Sequence, residues 1–493
     1  MYSVGLDIGT SFIKAALTKN SSGKLIDLVS EPSKEQAIIS FKDGWAEQDP
    51  EVWWNNSCKA IKSLISKNNV NPNDITFLGI SYQMHGLVLV DKEGKCLRKS
   101  IIWCDDRAVE IGKNAYVTLG KKYCTENLLN SPANFTASKL KWVKENEPEI
   151  YSKIHKIMLP GDYIVFKFSE KITTTICGLS EGIFWDFKEN KISTALLKNF
   201  QIPISMIPEI VPSFGFQCNV SLNVKNECGL GENVCINYRA GDQPNNALSL
   251  NVLKPGQVAA TAGTSGVIYA VTDQLKTSET ERINNFMHVS PKKDQLIGKL
   301  LCINGAGIEY AKLKTKLDLD SYETMNLFSE KSPIGSKNLI YLPFGNGSER
   351  MLNNKNVGSK LINYDKEKHT NSDLIRATLE GIAFAFVYGM KILIKDGVNP
   401  NLIRAGNDNL FQSSVFSETI STVLNIKIEL YNTTGAIGAS RASNLNVSNL
   451  EKFASNVDKN DYFKTYKPRA NNYDYTNAYD RWLNELKLVL NKL

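Results

Sequence analysis

The sequence is poor in several features that would commit a chain to a class. It has four histidines in 493 residues and no HExxH, so a histidine-held catalytic zinc is not expected. Its nine cysteines, at 58, 96, 104, 124, 177, 218, 228, 235 and 302, are odd in number and form no CxxC pair. That argues against a zinc site or a disulfide framework and for a reducing, cytoplasmic setting. The formal charge of +7 is scattered, with no long block of like charge, so nucleic acid is not an expected partner. No apolar run approaches the ~18 residues of a membrane span, and MYSVGLDIGT opens without a basic segment and a long apolar run, so neither a membrane nor a secretory signal is expected. GxxxxGK[ST] is absent too, so a polyphosphate would have to be held without a P-loop.

What is present is a length too great for one core. Two domains of roughly 200 to 250 residues are expected. Apolar residues at 42% and charged residues at 22% are ordinary for a globular protein, and the mild positive charge suits a phosphorylated small molecule. Residues 3–8 and 12–18 read as strands around Gly9-Thr10-Ser11, and KLIDLVSEP adds a third arm. Residues 50–67 read as a helix with Pro50 in its first turn and Val52, Trp53, Ala60, Ile61, Leu64 and Ile65 on one face. FLGISYQ is a buried strand, SYQMHGLVLVDKEGK a strand end leading into a hairpin arm, and 136–146 a helix ended by Pro148. The region 160–240 reads as loose and strand-rich. QVAATAGTSGVIYAV (257–271) then repeats the plan of GLDIGTSFIKAALT, which predicts two domains of related design, with the boundary near 245–255. Helices are expected at 371–395 and 412–425, with RAGNDN turning between them. Another is expected at YDRWLNELKLVLNKL, and GIAFAFVYGM reads as core.

Two loops stand out chemically. Glycine lets backbone N–H groups converge on an anion, and Thr and Ser add donors, so Gly9-Thr10-Ser11 and Gly263-Thr264-Ser265 either clasp a polyphosphate between domains or are ordinary tight turns. Asp7, in an apolar strand end, either stands near Mg²⁺ or caps its own turn. Asp242, at a domain junction, is either a general base or the head of an Asx-turn. Asp105 and Arg107 of WCDDR either bind adjacent hydroxyls or form a surface ion pair. His155, His288 and His369 have no ligand partners nearby in sequence and read as structural or surface residues.

In this order, GLDIGTSFIKA, WAEQDPEVWW, SYQMHG, WCDDR, SKLKWVKENEP, MLPGDYIVFKFS, AGDQPNNAL, ATAGTSGVIYAV, YLPFGNGSER, RATLEGIAFAF and TTGAIGASRAS resemble the FGGY carbohydrate kinases, over nearly the whole chain. The resemblance implies an α/β, two-domain actin-like ATPase fold, ribonuclease H-like, with a central cleft. Residues 1–248 would bind sugar and 249–493 nucleotide. SYQMHG resembles the xylulokinase branch, which implies ATP-dependent phosphorylation of a ketopentose, D-xylulose to D-xylulose 5-phosphate. Asp242 then matches the base and Asp7 the aspartate near Mg²⁺, with Met84, His85, Trp103, Asp105, Arg107 and Gln243 on the sugar side. Gly9, Thr10, Ser11, Lys14, Gly263, Thr264, Ser265, Gly406, Asn407 and Asn409 fall on the ATP side.

The chain departs from the family pattern at Gln243, where asparagine is usual, at AGNDN, where a glycine triplet is usual, and at Asn134. Other sugars (ribulose, glycerol), a silent sugar sensor and a chaperone-like ATPase are the alternatives. The sequence does not specify an oligomeric state; a homodimer is compatible with it.

Overall fold

The computed structural model describes residues 1–291 and 295–493 and lays them around two mixed β-sheets. In the first, β1 (Tyr2–Ile8), β2 (Ile13–Lys19) and β3 (Leu25–Glu31) form the expected antiparallel meander. β4 (Ile75–Tyr82) runs parallel to β1, and β6 (Cys235–Gly241) runs parallel to β4. β5 (Phe214–Asn219) closes that edge antiparallel to β6.

The second sheet holds β7 (Gln257–Ala262), β8 (Gly266–Thr272), β9 (Asn284–Met287), β10 (Ile297–Ile303), β11 (Leu402–Gly406), β12 (Ile428–Tyr431) and β13 (Tyr462–Tyr466). Its order is β9-β10-β8-β7-β11-β12-β13. The sequence echo is therefore a structural repeat. β1 and β7 each turn back into an antiparallel partner on one side and carry a parallel strand on the other.

Local chemistry sets the helices that matter here. α1 (Pro50–Lys67) starts where the Asp49 carboxylate accepts the Glu51 N–H at 3.0 Å and Pro50 fills the first turn. Trp53, Ala60, Ile61 and Leu64 are buried as expected, but Val52 faces solvent. α2 (Thr136–Asn146) ends before Pro148. α3 (Asp242–Ser249) begins directly at the end of β6, and α4 (Gly307–Lys316) follows β10. α5 (Asn371–Lys395) opens with a Thr370–Asp373 capping box. α6 (Gly435–Ser443) is buried from Ala436 to its end.

Several expectations are corrected. Residues 160–240 carry strands, as expected, but they also hold four helices, Pro160–Ser169, Ile176–Glu181, Thr194–Phe200 and Leu222–Cys228. These helices are short, and apolar runs of that length carry too few turns for their period to separate helix from strand. After Tyr82 the chain does not fold back on β4; Val88–Val90 pairs instead with Lys156–Met158. RAGNDN is the end of β11 and a loop, and the next helix starts at Ser414. α5 is long and apolar enough to cross a membrane, but 83% of its apolar stretch is buried inside the protein, where it is the core helix of the second half. Finally, Cys58 on α1 and Cys228 are paired as a disulfide, against the expectation of none.

α6 joins the halves. It lies on β1 and β4, where Gly5 and Gly79 leave room for it: a methyl group on either would fall within 2.1 Å of the Ala436 or Ala439 carbonyl oxygen. Ser440 Oγ donates to Ser3 O at 2.9 Å and meets Thr18 Oγ1 at 2.8 Å. So a helix from residue 435 onward covers a sheet built from residue 2 onward.

Candidate active site

The parallel strands β1, β4 and β6 end at one place, and Asp7, Ser81 and Gly241 mark it. Loops at such strand ends are free of the sheet ladder and face the crevice, the usual binding position in open α/β sheets. Asp7 Oδ1 accepts the Ser81 hydroxyl at 2.9 Å. Burial raises the Asp7 pKa, opposed by that hydrogen bond and by Lys14, its cross-strand neighbour. Asp242 opens α3 one residue beyond β6. Burial, then the Asp7 charge, push its carboxyl up to about 7, against the N–H groups of Gln243. A carboxylate held near neutrality can both accept a proton and release it.

Asp242 lines a cavity of about 320 Å³ between the halves. Met84, His85, Trp103 and Gln243 contribute from one side, and Ser265, Asn284, Cys302, Asn304 and Arg350 from the other. His85 stands at φ 60°, a left-handed turn that aims the ring inward. Its Nδ1 lies 2.8 Å from the Glu181 carbonyl oxygen. A carbonyl only accepts, so Nδ1 carries the proton and Nε2 is left as an acceptor. Burial, then the Lys139 charge, push the imidazole down to about 3, which keeps it neutral. Phe135 meets its ring edge-on at 5.1 Å. Met84 packs under Gly241, where a Cβ would lie 2.6 Å from its Cγ. Trp103, half exposed, donates Nε1 to Thr10 Oγ1 at 2.9 Å. Gln243 Oε1 is buried without a partner among the described residues, an acceptor aimed at something the protein does not supply.

A second cavity, of about 340 Å³, lies behind the β7–β8 turn. Gly263 and Thr264 line it with Tyr310, Tyr322, Asn326 and Asn409. The Gly263 and Thr264 carbonyls accept the Gly307 and Ile308 N–H groups at 2.9 and 3.1 Å, which locks the turn to the start of α4. Gly263-Thr264-Ser265 is thus the partition, with Ser265 facing the first cavity and Gly263 and Thr264 the second.

Other expected site residues are placed differently. Asp105 and Arg107 do not line either cavity. The Asp105 carboxylate accepts from the Ala46 N–H (2.6 Å), the Arg107 N–H (3.0 Å) and Arg107 Nη2 (2.7 Å). Arg107 also pairs with Glu47 at 2.8 Å and is held between the Trp45 and Trp142 rings. They form a buried ion pair beside the loop that carries Trp103. In the first turn, the Gly9 N–H is taken by the Asp7 and Phe12 carbonyls. The Thr10 hydroxyl donates to Gln83 Oε1 at 3.3 Å, and Ser11 stands half-buried beside it. Asn409 reaches the second cavity at φ 47°, whereas Gly406 and Asn407 do not line it; Asn407 is tied to Tyr431 O and Asn432 instead.

Several site residues escaped the sequence reading, Lys139, Glu181 and Arg350 among them. Lys139 is fully buried in α2 and donates to the His85 and Ile102 carbonyls at 2.8 and 2.9 Å. Glu181 supplies the carbonyl that sets the His85 tautomer. Arg350 lies within YLPFGNGSER, a matched segment to which no role was attached. A lysine inside a helix that is otherwise packed was a usable signal; the other two depend on tertiary contacts alone.

Two halves of one plan, a cleft between them and a hydroxyl-lined turn dividing two cavities define a two-domain, actin-like ATPase architecture with a central cleft. The chain belongs to the FGGY family of carbohydrate kinases, whose N-terminal domain matches residues 2–249. It is 29% identical over 429 residues to the xylulose kinase of Staphylococcus xylosus, spanning 85% of this chain and 87% of that one. Its fold is similar to that of a ligand-bound xylulose kinase from Lactobacillus acidophilus (TM-score 0.87, 22% identity, 99% of this chain and 98% of that one). It is similar as well to Plasmodium falciparum glycerol kinase with ADP (TM-score 0.88, 19% identity, 99% and 98%).

Proposed function

We propose that the chain is an ATP-dependent ketopentose kinase that converts D-xylulose to D-xylulose 5-phosphate. The observation that carries this is the partition at Gly263–Ser265. A cavity holding a carboxylate near neutrality and a cavity large enough for a nucleoside lie on its two faces. Phosphoryl transfer needs that adjacency, because the hydroxyl and the γ-phosphate must meet in line.

In this reading residues 1–248 hold the sugar and 249–493 the nucleotide, with α6 crossing back to the first sheet. His85 Nε2 and Gln243 Oε1 accept sugar hydroxyl protons, and Met84 and Trp103 flank the carbon chain. Asp242 Oδ takes the proton of the terminal hydroxyl as that oxygen attacks. Ser265 and the backbone around Gly263 and Thr264 offer donors to the phosphates. Among the described residues no cluster of three His, Cys, Asp or Glu can hold a metal by itself. Mg²⁺ would therefore be shared between the Asp7 carboxylate and phosphate oxygens, a donor set it favours, and there it would offset phosphate charge. Closure of the cleft excludes water, which protects ATP from hydrolysis. A cytoplasmic setting fits these substrates.

The test is ADP release from MgATP with D-xylulose, D-ribulose, L-ribulose, glycerol or no sugar. Release with D-xylulose well above the others is expected. Preference for another acceptor would discard the ketopentose assignment, and release without sugar would favour a chaperone-like ATPase.

A further inference from the structure

The first cavity presents several acceptors that no protein donor satisfies. His85 Nε2, the Asp242 carboxylate and Gln243 Oε1 all accept, as does Asn284 Oδ1, which is buried without a partner among the described residues. Two lining donors are already committed: Trp103 Nε1 to Thr10 Oγ1 and Asn304 Nδ2 to Ser348 O, at 2.9 and 2.6 Å. Sugar hydroxyls can satisfy acceptors by donating. A ketone oxygen cannot, since it only accepts, so a ketose in this cavity needs a donor for C2.

Arg350 is built to be that donor. The turn carrying it is fastened by the buried Glu349 carboxylate, which accepts the Asn304 and Gly305 N–H groups at 3.0 and 2.8 Å. Arg350 Nε donates to the Glu281 carbonyl at 2.5 Å, which fixes the plane of the guanidinium. Among the described residues no carboxylate lies within ion-pair distance of Arg350, and neither Nη donates to a protein acceptor. Arg350 lines the same cavity as His85 and Cys302.

Resting on the kinase reading above, we propose that Arg350 is the second half's own specificity residue. Its two free guanidinium nitrogens receive the C2 carbonyl and the adjacent O1 of the ketose, at the end remote from the hydroxyl that Asp242 deprotonates. A planar fork matches two neighbouring oxygens, which a lysine does not. Because Arg350 belongs to the half that carries the nucleotide, the bound ketose itself bridges the cleft.

The experiment is a substrate–variant cycle. Wild type, Arg350→Met and Arg350→Lys are assayed with saturating MgATP on D-xylulose and on 1-deoxy-D-xylulose, which keeps the carbonyl but lacks O1. For the wild type, loss of O1 should lower kcat/KM by roughly 10- to 100-fold. Arg350→Met should lose about 10²- to 10³-fold on D-xylulose and yet treat the two ketoses alike within about threefold, with KM for MgATP unchanged within about twofold. Arg350→Lys should recover about tenfold of activity without restoring the preference for O1. Equal losses on both substrates in the Met variant, or a wild type indifferent to O1, would overturn this inference while leaving the kinase standing. A wild type that phosphorylates neither ketose overturns the ketopentose reading and this inference together. Should Arg350→Met fail to fold, the lysine variant completes the cycle alone, and a retained preference for O1 in it sinks the proposal.

Discussion

Gly435 stands directly over the Asp7 carboxylate: a methyl group at Gly435 would lie 2.5 Å from Asp7 Oδ2. The first residue of α6 therefore forms the roof of a carboxylate on β1, and the Gly435 carbonyl is itself held by Asn245 Nδ2 of α3 at 2.9 Å. Three segments distant in sequence meet at this carboxylate.

Gly435→Ala tests that roof. Either the Asp7 carboxylate or the helix must move, and displacements near 1 Å at a reacting centre cost about 10²-fold in rate. A fall in kcat of roughly 10- to 100-fold is expected, with sugar affinity nearly unchanged. Titration calorimetry with D-xylulose and steady-state rates would check it. Wild-type kcat in the variant would mean that the helix yields and the carboxylate keeps its place.

Asp242→Asn should reduce turnover by about 10²- to 10⁴-fold and leave sugar binding within a few-fold. It should also stabilise the fold at alkaline pH. Asp242 is held near 7 in the folded chain against an ordinary 3.8, so the folded state binds more protons across that window. The stability this carboxyl contributes is present below about 4 and is lost as pH rises through 7. Asparagine does not titrate. The variant should thus gain about 1 kcal/mol over wild type at pH 8, the full shift being discounted for water in the cavity, and gain nothing at pH 4. Tm measured against pH for both proteins decides it.

The acid limb of kcat/KM for the sugar should fall below a midpoint near 7, with a slope of one proton, because protonated Asp242 cannot accept the hydroxyl proton. His85, held at about 3, is neutral throughout that range and adds nothing to the limb. Asp242→Glu should shift the midpoint. An unshifted limb in that variant would assign the titration to another group.

Asp105→Asn should act on stability and not on sugar affinity. It leaves Arg107 buried with a weakened partner, which costs about 2 to 4 kcal/mol, while neither residue borders the cavity. Denaturant unfolding should show the loss and KM for the sugar should stay within about twofold. A KM raised tenfold with undiminished stability would restore the pair to the sugar side.

How far the sequence reveals this molecule depends on the range of the interactions involved. The two hairpins β1–β2 and β7–β8 are legible because period-two apolar arms around Gly-Thr-Ser turns are local, and their repetition exposes the double plan. The bounds of α1 are legible because its proline and apolar stripe lie within one stretch, though Val52 of that stripe faces solvent. Asp242 is legible as a junction carboxylate, but its proton affinity depends on Asp7, which only tertiary structure brings near. The place of Asp105 and Arg107 is not legible, because a polar pair at a strand end looks the same whether it faces substrate or is saturated by a backbone amide and Glu47. Lys139 stands out in sequence as a charge in a packed helix, but its carbonyl partners, like that of Arg350, leave no mark there.

The placement of α6 has a consequence for how the chain is made. The first sheet has all its strands once residue 241 has been synthesised, yet the face over Gly5 and Gly79 stays bare until residues 435–443 leave the ribosome. The N-terminal half must therefore wait, with one side open, through the translation of nearly all of its partner. The last native contacts to form in this half belong to residues made after most of the other half.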